Sequence, residues 1–300
     1  MNRAVLKQVV GKWADRGLTL FCWAGALFLL WGVMQVFCFT SFKIPSDSME
    51  PELIAGDYIA VNKLTHGARL FNVFDALNKE QVAIHRLPGI GEIERNDVLV
   101  FNFPYPTRWD SIGFDVMKYY VKRCVALPGD TFEIRKAQYQ VRGVNTPLGN
   151  VESQKEMERI LASEQDIQRY GIVTKGYPYD SIIGWNIKEF GPLYVPKQDG
   201  EIEINRTNWI LYRTLIEWEQ KKRLTFKDET FFLGDCAITR YRFRKNYYFM
   251  TGDKAVNSQD SRYWGLLPEE FIVGKAVFIW KSKDLSTGDI RWNRIWKRIE

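Results

Sequence analysis

Two residues far apart in the chain have the chemistry to cleave a bond together. Ser48 lies within the segment Ile44–Pro51, which reads Ile-Pro-Ser-Asp-Ser-Met-Glu-Pro. A serine hydroxyl is a poor nucleophile until a base takes its proton. Histidine is the usual base, but the chain contains only His66 and His85. Neither has the neighbouring acidic motif of a catalytic triad, so we interpret both as ordinary surface or core residues.

Lysine is the other side chain known to activate a serine. An ammonium group cannot accept a proton, so a lysine base must be kept neutral by burial among apolar groups. Lys122 has such neighbours, which are Tyr119, Tyr120, Val121, Val125 and Leu127. This environment favours a lowered pKa for Lys122.

An apolar run precedes the candidate serine and is long enough to cross a membrane. It extends over residues 18–39, with Thr19 and Gln35 as its only clearly polar members. A helix of this length covers about 33 Å. A cleavable signal peptide is the alternative, but its apolar core is about 7–15 residues long and precedes a small-x-small site. The run ends Val-Phe-Cys-Phe, so we predict an uncleaved signal anchor.

The charges before the apolar run predict its orientation. Residues 1–17 contain four basic residues, Arg3, Lys7, Lys12 and Arg16, against the single acidic residue Asp15. The positive-inside rule therefore predicts a cytoplasmic N-terminus, with the rest of the chain on the outer, periplasmic face of the cytoplasmic membrane.

The remaining chain divides into regions with two different secondary-structure patterns. Short β-rich runs lie in residues 42–130 and 230–300, at 58–61, 98–101, 119–125, 247–250 and 271–280. We predict that these two ranges form one discontinuous, mainly β catalytic domain. Residues 131–229 contain two helical patterns, at 152–170 and 208–222, and are predicted to form an inserted α+β cap.

The net charge and the cysteine content limit which binding partners and cofactors the sequence predicts. The net charge is +6 with a pI near 9.0, but Lys and Arg are dispersed, so anionic lipid head groups explain the excess and nucleic acid is not expected. Outside the apolar run, Cys124 and Cys236 could form one disulfide or none. No zinc-ligand spacing is present, and we expect no metal and no cofactor.

Three blocks, in this order, resemble type I signal peptidase, also called leader peptidase. They are residues 45–51, residues 120–130 (Tyr-Val-Lys-Arg-Cys-Val-Ala-Leu-Pro-Gly-Asp) and residues 252–262. Supporting pieces are residues 96–101, residues 263–265 and residues 288–295, which resemble the closing strand of the family. The resemblance fades across the insertion. It implies a signal-peptidase-like β-body and a membrane-bound serine endopeptidase that uses a Ser–Lys dyad.

The resemblance also implies a role for each matching residue. Ser48 matches the nucleophile and Lys122 the general base; alone, Ser48 would be interpreted as a turn residue beside proline. Ser46 matches the serine whose hydroxyl, with the Ser48 backbone N–H, would stabilise the oxyanion. Ser258 matches the serine that orients the lysine amine.

Two further groups of residues match the family. Ile44, Pro45, Met49 and Tyr120 match positions that line shallow apolar pockets, which implies cleavage after small residues of the Ala-x-Ala type. Arg123, Asp253, Asp260 and Arg262 are expected to brace the site without taking part in the chemistry.

The chain departs from the family pattern at two places. The usual run Gly-Asp-Asn-Arg-Asp-Asn-Ser is here Gly-Asp-Lys-Ala-Val-Asn-Ser, over residues 252–258. Residue 47 is Asp where glycine is common, and a carboxylate pointing inward would raise the pKa of Lys122. We expect Asp47 to point outward and catalysis to be retained.

These observations predict removal of N-terminal signal peptides from exported preproteins through an acyl-enzyme. The substrate signal peptides, the lipid bilayer and the export machinery are the partners considered. Two alternatives are a self-cleaving repressor-type Ser–Lys peptidase, against which the membrane span argues, and a catalytically silent scaffold, against which the two dyad residues argue.

Overall fold

The computed structural model describes residues 3–78, 80 and 82–300. The helices in these ranges are α1 (Arg3–Phe37), α2 (Val73–Leu77), α3 (Val151–Ile160), α4 (Glu164–Tyr170), α5 (Arg206–Gln220) and α6 (Ser261–Trp264). Short 3-10 helices lie at Ala255–Asn257, Glu269–Phe271 and Trp292–Arg294.

The strands in the same ranges follow in chain order. They are β1 (Phe39–Lys43), β2 (Asp57–Asn62), β3 (Arg69–Leu70), β4 (His85–Arg86), β5 (Val98–Asn102), β6 (Tyr119–Ala126), β7 (Thr131–Arg135), β8 (Gln138–Val141), β9 (Phe190–Tyr194), β10 (Glu201–Glu203), β11 (Leu224–Lys227), β12 (Thr230–Leu233), β13 (Cys236–Ala237), β14 (Arg240–Arg242), β15 (Tyr247–Thr251), β16 (Leu267–Pro268) and β17 (Ile272–Ser282). The predicted mainly β class is confirmed.

A seven-stranded antiparallel sheet forms the body, in the order β1-β2-β17-β5-β6-β15-β16. Strands β5 and β15 are buried along their whole length, because both faces of the sheet are covered there. Strand β2 instead alternates between buried and half-buried residues, the pattern of a strand with one face against the core. All five β-rich runs of the sequence lie in or overlap strands of this sheet.

The N-terminal helix α1 carries the apolar run. Its segment Asp15–Phe37 has a mean hydropathy of 1.9 and none of it is buried against the rest of the chain, so it is long and apolar enough to cross a membrane. The predicted span of 18–39 is two residues too long, because Phe39 already pairs with Asn62 in the first ladder of the sheet. Lys63 Nζ donates to the carbonyl oxygens of Gln35 and Val36 at 2.8 and 3.1 Å, which caps the end of the helix.

The inserted segment contains a β8-β7-β9 sheet and the helices α3, α4 and α5. The helix predicted over 152–170 is wrong as one piece: α3 ends at Ile160, and Ser163 caps a new helix by accepting from the Asp166 N–H. The helix predicted over 208–222 is confirmed by α5, on which Leu211 and Leu215 are buried.

Strand pairing bears on where the insertion ends. Strand β10 pairs with β14, and β11 pairs with β12, which pairs with β13. Residues 230–242 therefore pair with strands of the insertion, not with the seven-stranded sheet. The division into body and cap stays a prediction, and these pairings favour a boundary after residue 242 over the predicted 229.

The expected closing strand at 288–295 is wrong. That segment makes one isolated β-bridge, between Ile290 and Lys283, and then a 3-10 helix at Trp292–Arg294. Arg294 turns inward to the buried carboxylate of Asp57, with a shortest N–O distance of 2.6 Å. Within the described residues all four cysteines are free, with Cys124 buried and Cys236 exposed.

Candidate active site

Three separate segments converge around the middle of strand β6, at Lys122. Ser48 lies in the connection between β1 and β2, Lys122 lies on β6, and residues 252–260 follow β15. Strand β6 pairs with β15 so that Arg123 is opposite Thr251. This register brings the segment after β15 next to Lys122, and the three blocks noted in the sequence meet in space.

The predicted nucleophile and base are in direct contact. Lys122 Nζ lies 2.6 Å from Ser48 Oγ, at hydrogen-bond distance. The Lys122 side chain is buried, at 4% exposure, and Ser48 is half-buried. Burial lowers the pKa of Lys122 to about 8, against the opposing pull of Asp260 and Asp253. A neutral amine is therefore accessible at mildly alkaline pH within reach of the hydroxyl proton.

Two hydrogen-bond donors flank the serine hydroxyl. Ser46 Oγ lies 3.4 Å from Ser48 Oγ. No acceptor among the described residues takes the backbone N–H of Ser48. A hydroxyl and a backbone N–H are groups of the kind that an oxyanion hole uses, so the role expected of Ser46 and the Ser48 N–H stays a prediction.

Ser258 approaches the site without the hydrogen bond expected of it. Its hydroxyl is buried and has no hydrogen-bond partner among the described residues, so the expected contact with Lys122 is not formed here. Gly252 lies between Ser258 and Ser48: a Cβ at this position would stand 2.2 Å from Ser258 Oγ and 2.6 Å from the Ser48 carbonyl oxygen. The close approach of these segments therefore requires glycine.

The four residues predicted to line substrate pockets differ in accessibility. Ile44 and Met49 are buried, at 3% and 1% exposure, within the apolar cluster that includes Leu53 and Val100. Pro45 is exposed and Tyr120 half-buried. The prediction that these four residues line shallow apolar pockets stays a prediction, in which the buried Ile44 and Met49 would form the floor.

Two buried ion pairs lie near Ser48 and Lys122, at the four positions predicted to brace the site. Arg123 donates to both carboxylate oxygens of Asp253 at 2.6 Å. Arg262 donates to both oxygens of Asp260 at 2.8 Å, and Asp260 also accepts from the Gly252 N–H at 2.9 Å. The Arg123–Asp253 pair fixes the segment after β15 against β6, and the contacts of Asp260 hold that segment together internally.

Part of the departure at residues 254–256 is explained by the insertion. Ala255 is buried with Met157, Leu161 and Ile187, and Val256 packs against this cluster. Helix α3 therefore covers residues 255 and 256 with apolar side chains, where the family run has an Arg and an Asp. At residues 255 and 256 this chain therefore has apolar packing in place of the two charged side chains of the family run.

The carboxylate of Asp47 is engaged by residues of the segment after β15. Its carboxylate accepts from Lys254 Nζ at 2.5 Å and from Asn257 Nδ2 at 2.9 and 3.0 Å. Lys254 Nζ also donates to Glu50 Oε2 at 2.9 Å. Sequence reasoning missed this network, although opposite charges at the two departures, 47 and 254, were a usable signal.

A cleft of about 340 Å³ opens beside Ser258. The exposed side chains of Trp109, Val173 and Tyr179 form one wall, and residues 256–259 form another. Ser258 is the one residue of the predicted site in the lining of this cleft, which does not include Ser48 or Lys122.

Comparison with known proteins assigns the family. The chain belongs to the signal peptidase, peptidase S26 family, whose model matches residues 17–281. It is 29% identical over 279 residues to signal peptidase I of Buchnera aphidicola subsp. Acyrthosiphon pisum, covering 90% of this chain and 78% of that one. It is also 29% identical over 260 residues to signal peptidase I of Pseudomonas aeruginosa, covering 83% and 67% respectively.

A solved signal peptidase I from Enterococcus faecalis shares 19% identity, covering 62% of this chain and 98% of that one, with a TM-score of 0.28. The assignment rests on the family match and not on that superposition. The chain is therefore a protease of the signal peptidase family, and within the described residues one helix, at the N-terminus, is long and apolar enough to anchor it in a membrane.

Proposed function

We propose that this enzyme removes N-terminal signal peptides from exported preproteins with Ser48 as nucleophile and Lys122 as general base. The observation that carries the proposal is the 2.6 Å contact between Lys122 Nζ and Ser48 Oγ, with the lysine buried and its pKa lowered to about 8. A lysine in this state can take the serine proton, which a solvated lysine cannot do at the same pH.

The chemistry proceeds in two stages. Neutral Lys122 accepts the Ser48 proton as Oγ attacks the scissile carbonyl carbon, and the resulting oxyanion is held by Ser46 and the Ser48 N–H. The lysine then protonates the leaving amine, which leaves an acyl-enzyme on Ser48. Lys122 next activates a water molecule that hydrolyses the ester and frees the serine.

Specificity for small residues before the cut follows from the packing around the serine. Ile44 and Met49 fill the core beneath the segment that carries Ser48, so little depth remains for a large side chain. We infer an Ala-x-Ala preference for this reason. With α1 as anchor and its basic residues in the cytoplasm, the site lies on the outer face of the membrane, where substrates arrive anchored by their own apolar helices.

The test is cleavage of a preprotein with an Ala-x-Ala site by purified full-length enzyme, beside folded Ser48→Ala and Lys122→Ala variants. We expect the wild type to cut at that site and both variants to be inactive. A variant that still cuts would overturn the dyad, and a wild type inert on several preproteins would favour the scaffold alternative.

The matched control is Ser41→Ala, which removes a hydroxyl from the neighbouring strand β1. Ser41 Oγ accepts from the Trp280 indole at 2.7 Å and contacts neither dyad residue. Its cleavage rate is expected to stay close to that of the wild type.

A further inference from the structure

The two departures from the family pattern meet each other in the folded chain. Asp47 directly precedes the nucleophile, and Lys254 lies 207 positions further along, yet their charged groups are 2.5 Å apart. Lys254 also reaches Glu50, at 2.9 Å. One ammonium group thus bridges two carboxylates that flank Ser48 on either side.

Main-chain contacts make this bridge a clamp on the serine segment. The Lys254 N–H donates to the Ser48 carbonyl oxygen at 3.1 Å, and the Glu50 N–H closes the turn by donating to the Asp47 carbonyl oxygen at 2.9 Å. Asn257 adds two hydrogen bonds to the Asp47 carboxylate. The turn that presents the nucleophile is therefore tied to the segment after β15 by both side chains and backbone.

The bridge also sets the charge next to the dyad. The charged groups that act on the Lys122 amine are Asp260, Asp253 and Asp47, which favour its protonated form, and Arg262, which opposes it. Asp260 and Asp253 are paired with buried arginines. Asp47 is neutralised only by Lys254 among the described cations within ion-pair distance.

We propose that Lys254 is a positioning residue for the Ser48–Lys122 dyad, which holds the nucleophile turn through Asp47 and Glu50 and cancels the negative charge beside the base. This inference rests on the proposed dyad and deepens it. The insertion favours this arrangement, since Ala255 and Val256 pack against it and leave Lys254 as the charged residue facing the serine turn.

The experiment measures kcat/KM against pH for preprotein cleavage by full-length Lys254→Met, Asp47→Asn and the double variant. In Lys254→Met the Asp47 carboxylate is unmasked, so we expect kcat/KM at neutral pH to fall about three- to tenfold and the acid limb to move up by about 0.5 pH unit. In the double variant the carboxylate is gone as well, so the acid limb should return to or below its wild-type position.

Two controls separate positioning from general damage. Lys254→Arg keeps the charge and should retain at least about half of the wild-type rate. Lys245→Met removes a lysine of similar exposure, 29% against 33%, whose partner Glu270 belongs to no part of the site; it should leave the pH profile unchanged.

Unchanged kcat/KM and an unmoved acid limb in Lys254→Met would overturn the inference. So would a slow Lys254→Met whose acid limb does not move, because a purely structural role predicts that result. Failure of the proposed Ser48–Lys122 mechanism would give a different result from failure of this inference, because Ser48→Ala or Lys122→Ala would then remain active.

Discussion

Two lysines within the same site occupy opposite environments. Lys122, on β6, is buried at 4% exposure, has no carboxylate partner within ion-pair distance in the described chain, and has a pKa lowered to about 8. Lys254, after β15, is one-third exposed and bridges Asp47 and Glu50, whose hydrogen bonds raise its pKa. The first lysine can lose its proton near neutral pH and the second keeps it.

The difference shows that the surroundings, and not the residue type, decide what a lysine does here. Both lysines have carboxylates nearby. For Lys122 these are Asp253 and Asp260, which lie close enough to act on its amine. They are already engaged by Arg123 and Arg262 in bidentate pairs. The arginines thus keep the carboxylates from pairing with the base.

Exchange of each lysine for arginine gives the largest expected contrast. Arginine stays protonated at any accessible pH, so Lys122→Arg should lower kcat by about 10³-fold or more because no base remains. Lys254→Arg should stay active. The measurement is single-turnover cleavage of an Ala-x-Ala preprotein, with circular dichroism to verify folding. Comparable losses in the two variants would contradict the contrast between the two environments.

Removal of one carboxylate near each lysine should lower the free energy of unfolding by different amounts. Asp260 and Arg262 are 0% and 1% exposed, so Asp260→Ala leaves a buried guanidinium unpaired and should cost about 3–5 kcal/mol. Glu50→Ala breaks the exposed pair with Lys254 and should cost about 0–1 kcal/mol. Denaturant unfolding of both full-length variants in detergent checks the difference. Equal costs would mean that the Asp260–Arg262 pair is not held in a buried environment.

The sequence made the buried lysine predictable and left the exposed one unexplained. Lys122 stands among apolar residues in a strand-like run, and this local pattern alone indicates a lowered pKa. The contacts of Lys254 join residues 204 and 207 positions apart, and no local pattern predicts such a meeting. It depends on the tertiary fold, which brings the connection between β1 and β2 against the segment that follows β15.

Other differences between expectation and structure have the same origin. The apolar run gives no signal that Phe39 leaves the helix, because that residue is equally suited to the strand it joins opposite Asn62. The helical pattern across 152–170 conceals the break at Ser163, whose capping hydrogen bond competes with the helix. The resemblance implies a hydrogen bond from Ser258 to the Lys122 amine, but the Ser258 hydroxyl has no partner among the described residues.

Gly252 joins the two environments, and a single methyl group there should disturb both. A Cβ would stand 2.2 Å from Ser258 Oγ and 2.6 Å from the Ser48 carbonyl oxygen, so the serine turn must move away from Lys122. We expect Gly252→Ala to lower kcat/KM by about 10- to 100-fold. Gly113→Ala is the control, since its Cβ would meet Pro106 Cγ at an ordinary 3.6 Å. Wild-type kinetics in Gly252→Ala would show that the segments can separate without loss.

The smallest expected effect is a gain in stability when the buried lysine loses its charge. Between the folded pKa of about 8 and the ordinary 10.5, folded Lys122 binds fewer protons than the unfolded chain, so stability rises with pH across this window. Below pH about 8 the full penalty applies. Lys122→Met should therefore raise the free energy of unfolding at pH 7 by about 1–3 kcal/mol while abolishing cleavage. Unfolding at pH 7 and pH 10 tests this: the gain should shrink at pH 10, and a gain equal at both would mean that it comes from packing and not from the charge.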